Sequence, residues 1–508
     1  MRRDLIRQGR ATSAPDARDR GGIGLLRQAL QSASYRPERI RAMLHAEGDN
    51  LTPRPSDVPI VVRLLPQRDR LADLLRLFLL RLDVPGAAAA DALAPLPVER
   101  AERLGMVTRT GDTVRGNVRI LPAGELLFAC DRELESDPRL PADHVMGVSS
   151  SSIFLASLTV RANIRDVLDI GCGSGIQSVL AAHHAKRVVA CDINRRALAF
   201  TAFNAALNGI VNVECREGSF FEPAKGESFD LVVSNPPFVI SPASALVFRD
   251  SGMRGDDVSR MVVREAAAHL RPGGLGFVLA SWGVPEGAEW QGPLTEWVRE
   301  TGCDAWFLHQ ARGTPLGYAA TWNEPLQQLG SGAYERALDE WVAYYRELGY
   351  ATIGYGAVIL RKRAAKAHWL RADDIHGQRE PASSAQIAQL IAAEDYLAAH
   401  DDAGLLGARL TVEPAHRLDQ TLRARDGAFA VETATLRLEE GLRFQMDVDA
   451  YTAELLTNLD GRRTLAEAAA ETAARFASDQ LGVAELLAEA PVVARRLIRL
   501  GLVRLDGH

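Results

Sequence analysis

Apolar positions divide the chain into three stretches of different rhythm. Near the start they recur with helical spacing, at Leu25, Leu26, Ala29 and Leu30 and again at Leu71, Leu74, Leu75, Phe78 and Leu79, and a further short helix is predicted around Pro97–Leu104. Two apolar runs, Val114–Leu121 and Glu125–Cys130, flank turn residues and read as strands, so that helices closing on a hairpin predict a winged-helix-like module. From Asp166 short strands alternate with helices. Strands are expected at Val167–Ile170, Arg187–Cys191, Val211–Arg216, Leu231–Ser234 and Leu275–Ala280. Helices are expected at Ile176–His184, Arg195–Asn208 and Ser259–Leu270, the last stopped by Arg271-Pro272-Gly273-Gly274. Such alternation predicts a parallel sheet covered by helices. Strands near Asp304–His309 and Ile353–Arg361, with a helix at Tyr334–Leu348 before the second, bring the sheet to seven. Helical spacing returns at Ala385–Ala399 and Thr464–Phe476, and Leu455–Leu505 reads as a second small winged helix.

These changes of rhythm set expected boundaries: a flexible, Arg-rich leader at 1–22, an N-terminal module at 23–140, the α/β region at 141–364 and a C-terminal region at 365–508. Gln310–Gly332, between the last two strands of the sheet, is long for a loop and reads either as a substrate lid or as a structural insertion.

Composition narrows the class. With 508 residues, 47% hydrophobic and 24% charged, the chain is a multidomain globular protein. The start lacks the apolar run of a signal peptide, and stretches such as Leu71–Val84 are broken by charges and shorter than the roughly 20 residues of a membrane span, so no membrane contact and a cytoplasmic location are expected. Five scattered cysteines, Cys130, Cys172, Cys191, Cys215 and Cys303, support neither a disulfide framework nor a metal site. A net charge of −6 gives no global footprint for nucleic acid, while leaving a local basic groove open.

The chemistry concentrates in the α/β region. Val167-Leu168-Asp169-Ile170-Gly171-Cys172-Gly173-Ser174-Gly175 is a strand breaking into a glycine-rich turn at a helix start, where glycines allow close approach of a ligand and free N–H groups face it. Alone, this pattern also fits nicotinamide or flavin binding, or a tight turn. A second strand ends in Asp192, an acid suited to ribose hydroxyls. The fourth strand then runs into Asn235-Pro236-Pro237-Phe238, which nicotinamide enzymes have no reason to carry. A planar NH₂ group is a poor nucleophile because its lone pair is delocalised. If the Asn235 side-chain oxygen and the Pro236 carbonyl accept its two N–H bonds, the nitrogen is held in line for attack and free to pyramidalise. Phe238 would lie against the flat face of the acceptor.

On these motifs, residues 140–290 resemble the class I methyltransferases that act on amino nitrogens, including glutamine N5-methyltransferases of release factors and ribosomal protein, and base N-methyltransferases of RNA and DNA. The resemblance implies an α/β fold, with a seven-stranded Rossmann-like methyltransferase core flanked by helical, winged-helix-like N- and C-terminal domains, and S-adenosyl-L-methionine as cofactor. It implies that Asp169, Gly171, Cys172, Gly173, Gly175, Asp192, Ile193, Ser219, Phe220 and Asn235 bind the cofactor and that Asn235, Pro236, Pro237 and Phe238 carry catalysis. The chain departs from the family at Ser219, where an acid usually holds the adenine amino group.

Around this centre, Ser149–Ser152 reads either as a helix cap or as a contact for the cofactor's carboxylate. Phe248–Asp257 resembles the stretch that follows the tetrapeptide in glutamine methyltransferases, with Arg249, Arg254, Asp256 and Asp257 as substrate contacts or solvated loop charges. Asp460–Glu467 is similar to small peptide-binding winged helices, and Arg462, Arg463, Arg495, Arg496 and Arg499 offer either a basic face for nucleic acid or an exposed helix flank. The expected acceptor is thus a nucleic-acid base of rRNA or tRNA, toward which Phe238 leans, with a protein or peptide glutamine as the alternative and a non-catalytic cofactor-binding module as a third. Oligomeric state stays open.

Overall fold

The computed structural model describes residues 14–45, 51, 53, 56–131, 140–161, 164–242, 246–375, 383–425, 427–476 and 480–505. Contacts group the chain into two units: residues up to Ala156 together with Arg161–Asp374, and Ser157–Val160 together with Ile375–His508. The boundary expected at 140/141 falls inside the first unit, and the one expected at 364/365 compares with 374/375.

The first unit opens with α1 (Arg20–Ser32), α2 (Pro37–Leu44), α3 (Val58–Leu64) and α4 (Arg70–Phe78), followed by β1 (Asp83–Pro85), α5 (Gly86–Leu93), α6 (Val98–Arg103), β2 (Val107–Thr110) and β3 (Thr113–Gly116). Of the expected leader, residues 1–13 lie outside the described residues. Its end is structured: Arg20–Gly22 form the first turn of α1, Asp19 caps that turn through the Gly22 N–H at 2.9 Å, and Arg100 lies 2.7 Å from the same carboxylate. The small sheet has the order β1-β3-β2 and its hairpin is β2-β3, not the hairpin expected from Val114–Leu121 and Glu125–Cys130. The single run expected at Val114–Leu121 breaks at Gly116, where a Cβ would stand 2.1 Å from the Leu77 carbonyl oxygen. Beyond the break β4 (Arg119–Ala123) pairs with β5 (Leu126–Cys130) instead.

The rest of the unit runs α7 (Ser150–Leu158), β6 (Asp166–Ile170), α8 (Ile176–Ala182), β7 (Arg187–Asp192), α9 (Arg195–Leu207), β8 (Val213–Glu217), β9 (Phe229–Ser234), α10 (Asp257–Ala268), β10 (Leu270–Val284), α11 (Gly292–Val298), β11 (Cys303–Gly313), α12 (Pro315–Asn323), α13 (Ser331–Glu347), β12 (Thr352–Lys362) and β13 (Leu370–Asp374). The sheet order is β13-β11-β12-β10-β9-β6-β7-β8, with β12 antiparallel to both neighbours and the remaining pairings parallel. It carries one strand, β13, beyond the seven expected.

The N-terminal module and the sheet share one core because α9 is apolar on its outer side as well. Ala197, Phe200, Phe203 and Leu207 pack among Ile23, Leu26 and Leu30 of α1. On the same helix Asn204 and Asn208, one turn apart, each bond both backbone groups of a β5 residue, Asn204 at Ala129 and Asn208 at Leu127, over 2.7–3.0 Å. Their amides satisfy the strand as a neighbouring strand would.

The expected loop Gln310–Gly332 is largely helical. Thr314 accepts the Gly317 N–H at 3.1 Å and Pro315 opens α12, a cap and first-turn pairing that the glycines around it disguised.

In the second unit, α14 (Ser383–Ala399), α15 (Asp402–Leu406), β14 (Arg409–Val412), β15 (His416–Arg425), β16 (Ala428–Leu438), β17 (Gln445–Asp447), α16 (Ala450–Asn458), β18 (Asp460–Thr464), α17 (Leu465–Phe476), α18 (Gln480–Arg499) and β19 (Val503–Leu505) follow in order. The sheet β18-β14-β19 is interleaved with α16–α18 in the stretch expected to form a small winged helix, whereas the sheet β15-β16-β17 was not expected in a helical region. The proposed basic face is largely neutralised: Arg463 meets Glu471 at 2.9 Å, Arg495 meets Asp402 at 2.9 Å and Arg499 meets Glu394 at 3.3 Å. Among the described residues no helix is long and apolar enough to cross a membrane.

Candidate active site

Strand order reverses between β6 and β9, and in open α/β sheets the crevice at such a switch point is where ligands bind. Ile170 and Ser234 end the two strands side by side in register, and the Ser234 hydroxyl donates to the Ile170 carbonyl at 2.9 Å. The glycine loop and the tetrapeptide therefore leave the sheet together, with the Asn235 carbonyl oxygen 3.9 Å from where a Cβ on Gly171 would stand. Between them opens a cavity of about 510 Å³, bordered by Asp169, Gly171, Cys172, Gly173, Asp192, Ile193, Ser219, Phe220 and all four tetrapeptide residues. Of the residues expected at the site, Gly175 alone is set back from it.

Two glycines of the loop shape the wall. Gly173 adopts φ 55° with nothing within 4 Å of an added Cβ, so its backbone is open to a ligand. Gly175 has a different reason to be glycine: at φ 81° its Cβ would meet the Thr201 Cα at 2.9 Å, so it seats α9 against the loop. The Asp192 carboxylate accepts the Gly173 N–H at 3.0 Å and the Asn194 N–H at 2.8 Å, and burial raises its pKa above the usual carboxylate range. Asp169 is buried beneath the loop and bonded by the Ser178 hydroxyl at 2.6 Å, and desolvation pushes its pKa up to about 7. Cys172 is buried, with the Thr201 hydroxyl 3.3 Å from its sulfur. Ile193 is an exposed apolar residue at the rim, 58% accessible. Phe220 holds φ 46°, a left-handed backbone that costs a bulky residue roughly 1–2 kcal/mol, next to exposed Ser219. Open backbone, an oriented ribose-type acid and a second buried acid suit the nucleoside and cationic amino-acid ends of the expected cofactor.

On the acceptor side, Asn235 donates its Nδ2 to Ser151 Oγ at 3.1 Å, which turns Oδ1 away from that serine and leaves it free to accept. Ser149 meanwhile caps α7 through the Ser152 N–H at 3.2 Å, so the serine run divides between a helix cap and a support for Asn235. The Pro236 carbonyl already accepts the Phe238 N–H at 2.7 Å in a tight turn and keeps its second lone pair. Phe238 packs on Tyr355 at 5.1 Å and meets Trp322 of α12 edge-on at 6.4 Å.

The stretch after the tetrapeptide is divided: Arg249, Asp250 and Asp256 are held in the interior, whereas Arg254 and Asp257 pair at the surface. Asp250 bridges to Phe238, and Arg249 is pinned between the Asp250 carboxylate at 2.8 Å and the Trp341 ring at 5.8 Å. Asp256 accepts the Gly283 N–H at 2.9 Å, Asp257 pairs with Arg260 at 2.7 Å and Arg254 with Glu347 at 2.7 Å. Tyr318 of α12 accepts the Ile240 N–H at 3.3 Å while Tyr345 of α13 donates to the Ile240 carbonyl at 2.7 Å, tying both helices to the segment beyond Phe238. The sequence reading missed Trp322, Phe248 and His144, all of which border the cavity. A Trp and a Phe inside the two segments already singled out were the available signal.

The methyltransferase small domain family matches residues 148–285, and two domains of unknown function, DUF7059 and DUF7782, match residues 32–117 and 388–505. A release factor glutamine methyltransferase from Xylella fastidiosa is 38% identical over 223 residues, covering 39% of this chain and 72% of the relative. A ribosomal RNA small subunit methyltransferase C from Alcanivorax borkumensis is 33% identical over 119 residues, 23% of this chain and 33% of the relative. A ribosomal protein uL3 glutamine methyltransferase from Bradyrhizobium diazoefficiens is 35% identical over 125 residues, 22% of this chain and 39% of the relative. The chain thus spans most of the first relative and about a third of the other two. Among solved structures, a methyltransferase from Pyrococcus furiosus matches 42% of this chain and 82% of its own at 17% identity, with a TM-score of 0.27.

Proposed function

The chain belongs to the S-adenosylmethionine-dependent N-methyltransferases of the methyltransferase small domain family, and from that premise we propose that its acceptor is the exocyclic amino group of a nucleic-acid base, in rRNA or tRNA. The observation that carries this reading is the ring content of the acceptor side: Phe238, Trp322, Phe248 and His144 border one cavity. Flat rings favour a flat aromatic acceptor, on which stacking contributes roughly 1–3 kcal/mol per base. Such a base would have to be single-stranded or turned out of its stack. The substrate would place the enzyme in the cytoplasm.

When bound, the cofactor supplies an electrophilic methyl group on a sulfonium sulfur. The chain's residues do the rest by holding and excluding. Asp192 and the open backbone at Gly173 would hold the nucleoside end, and Asp169 the cationic amino-acid end. Asn235 Oδ1, aimed by Ser151, accepts one N–H of the acceptor, and the free lone pair on the Pro236 carbonyl accepts the other. Phe238, backed by Tyr355, covers the acceptor face and keeps water out.

A second reading, a protein glutamine amide, is supported by the match over 223 residues to a relative named as a release factor glutamine methyltransferase. The test is transfer of radiolabelled methyl into extracts of a deletion strain, separated into RNA and protein, with Asn235→Ala as control. Label in RNA upholds the base reading, label in protein replaces it with the glutamine reading, and label that persists with Asn235→Ala removes the mechanism.

A further inference from the structure

Outside the motifs, a polar ring at the cavity has a nitrogen with nothing to bond among the described residues. His144 is 4% exposed, borders the cavity, and its Nε2 is shut off from solvent without a hydrogen-bond partner among the described residues. Buried polar atoms left in this way are uncommon in folded proteins and ask for a reason, of which a ligand contact is one.

The surroundings fix what this nitrogen can do. Nδ1 faces Asp131 Oδ2 at 3.9 Å, so the negative side of the ring's environment is at Nδ1 and favours the proton there, which leaves Nε2 as the acceptor. Asp131 is itself held: Arg196 reaches both of its oxygens at 2.6 Å and the Val145 N–H binds it at 2.9 Å. The charged groups around the ring are therefore Asp131 from the end of β5, Arg196 from α9 and Asp143 from its own segment. Burial outweighs the two acids and lowers the His144 pKa from its ordinary value, so the ring is neutral near pH 7.

Backbone and ring point to different halves of the site. The Asp143 carbonyl accepts from Asn194 Nδ2 at 2.9 Å, which anchors the segment beside the ribose-type acid Asp192. The imidazole instead lies 5.7 Å from Phe248, two residues before the Asp250 that bridges to Phe238. The ring belongs with the acceptor, the backbone with the cofactor.

We propose that His144, with its ring oriented by Asp131, contacts the methyl acceptor and receives through Nε2 a hydrogen bond from one of its N–H groups. This rests on the base reading above and deepens it: with both amino N–H bonds taken by Asn235 and Pro236, a base that also donates to His144 must carry a further ring N–H, as guanine does at N1 and adenine does not. Protonation of His144 turns Nε2 into a donor and abolishes the contact, so acceptor binding is lost toward acid even when S-adenosylmethionine is saturating.

The test uses the full-length enzyme with His144→Gln, which keeps a polar side chain, and His144→Phe, which keeps the ring against Phe248. Thermal unfolding and S-adenosylmethionine affinity are measured for each, followed by kcat/KM for the acceptor from about pH 5.5 to 8, with S-adenosylmethionine saturating at every pH, on whichever fraction, RNA or protein, the wild-type enzyme labels. The expected result is unchanged cofactor affinity, a loss in kcat/KM for His144→Phe of roughly 10- to 100-fold, partial recovery in His144→Gln, and an acid limb in the wild type that both variants lack. Equal activity in His144→Phe and wild type at every pH overturns the proposal, as does a loss of cofactor affinity matching the loss of activity. Label in protein alone overturns the base reading and this proposal with it, because a glutamine amide has no N–H left for His144 once Asn235 and Pro236 hold it. If the wild type labels neither fraction, the function reading fails, and the nitrogen resonances of the His144 ring decide the proposal. A ring that titrates below about pH 6.5 and shifts when guanosine is added upholds it, and one that does neither overturns it.

Discussion

Asn235 and Ser151, distant in sequence, meet across 3.1 Å, the asparagine Nδ2 donating to the serine hydroxyl. An amide that is to accept a hydrogen bond from its substrate must not swing, and a partner for its NH₂ end stops the swing. Ser151→Ala is expected to lower kcat about 3- to 10-fold, the value of one neutral hydrogen bond, while cofactor affinity stays as in the wild type. Asn235→Ala removes the acceptor itself and should cost at least about 100-fold. Equal kcat in Ser151→Ala and wild type would mean that the amide is oriented by something else.

Trp322 comes from a helix the sequence disguised as a loop, and stands edge-on to Phe238 at 6.4 Å. Replacing it with alanine takes a ring from the acceptor wall and nothing from the cofactor wall. Trp322→Ala should raise KM for the labelled RNA by roughly 10- to 100-fold, in line with one stacking contact, and leave cofactor affinity intact. Equal loss on both ligands would make α12 a brace rather than a wall.

How much of this was legible follows from which signals are local. The strands β6, β7 and β9 are buried on both faces and read as short apolar runs, and the glycine turn and Asn235-Pro236-Pro237-Phe238 sit at their ends. What depends on partners far along the chain was not legible: Ser151 beneath Asn235, Asp131 behind His144, Asn204 completing β5. The hairpin β15–β16 escaped for another reason. Its arm is exposed, with Phe429 77% accessible, and is rich in Ala, which favours strands poorly. At α12 the turn signal of Gly313 and Gly317 outweighed the Thr314-Pro315 cap.

Gly175 tests the difference between a residue that lines a site and one that shapes it. A methyl group there would collide with Thr201 Oγ1 at 2.8 Å and with its Cα at 2.9 Å, in a backbone at φ 81° that alanine resists. Gly175→Ala should destabilise the fold by about 2 kcal/mol, read by denaturant unfolding. Adding Thr201→Ala removes the hydroxyl but not the Cα, so the double variant should recover little. Full recovery would place the clash in the side chain alone.

Asp169 couples the cofactor to pH with a sign that can be worked out. Its ordinary pKa is 3.8 and burial pushes it up to about 7, so between those values the folded protein keeps a proton that the unfolded chain releases. Stability from this group is complete at low pH, declines as pH rises through that window, and is lost above about 7. A cationic cofactor end has the opposite preference, since it is drawn to the charged carboxylate. Affinity for S-adenosylmethionine should therefore rise about fivefold from pH 6 to 7, less than about twofold more by pH 8, and level off above. Asp169→Asn keeps an acceptor for the Ser178 hydroxyl, which now donates to an amide oxygen, but cannot ionise. In that variant the melting temperature at about pH 8 should exceed that of the wild type, and cofactor affinity should be weaker and flat with pH. Calorimetric titration across this range, with both proteins, decides it. A wild-type affinity that does not change between about pH 6 and 8 would mean that Asp169 is a buried strut and that Asp192 carries the electrostatics of the cofactor site alone.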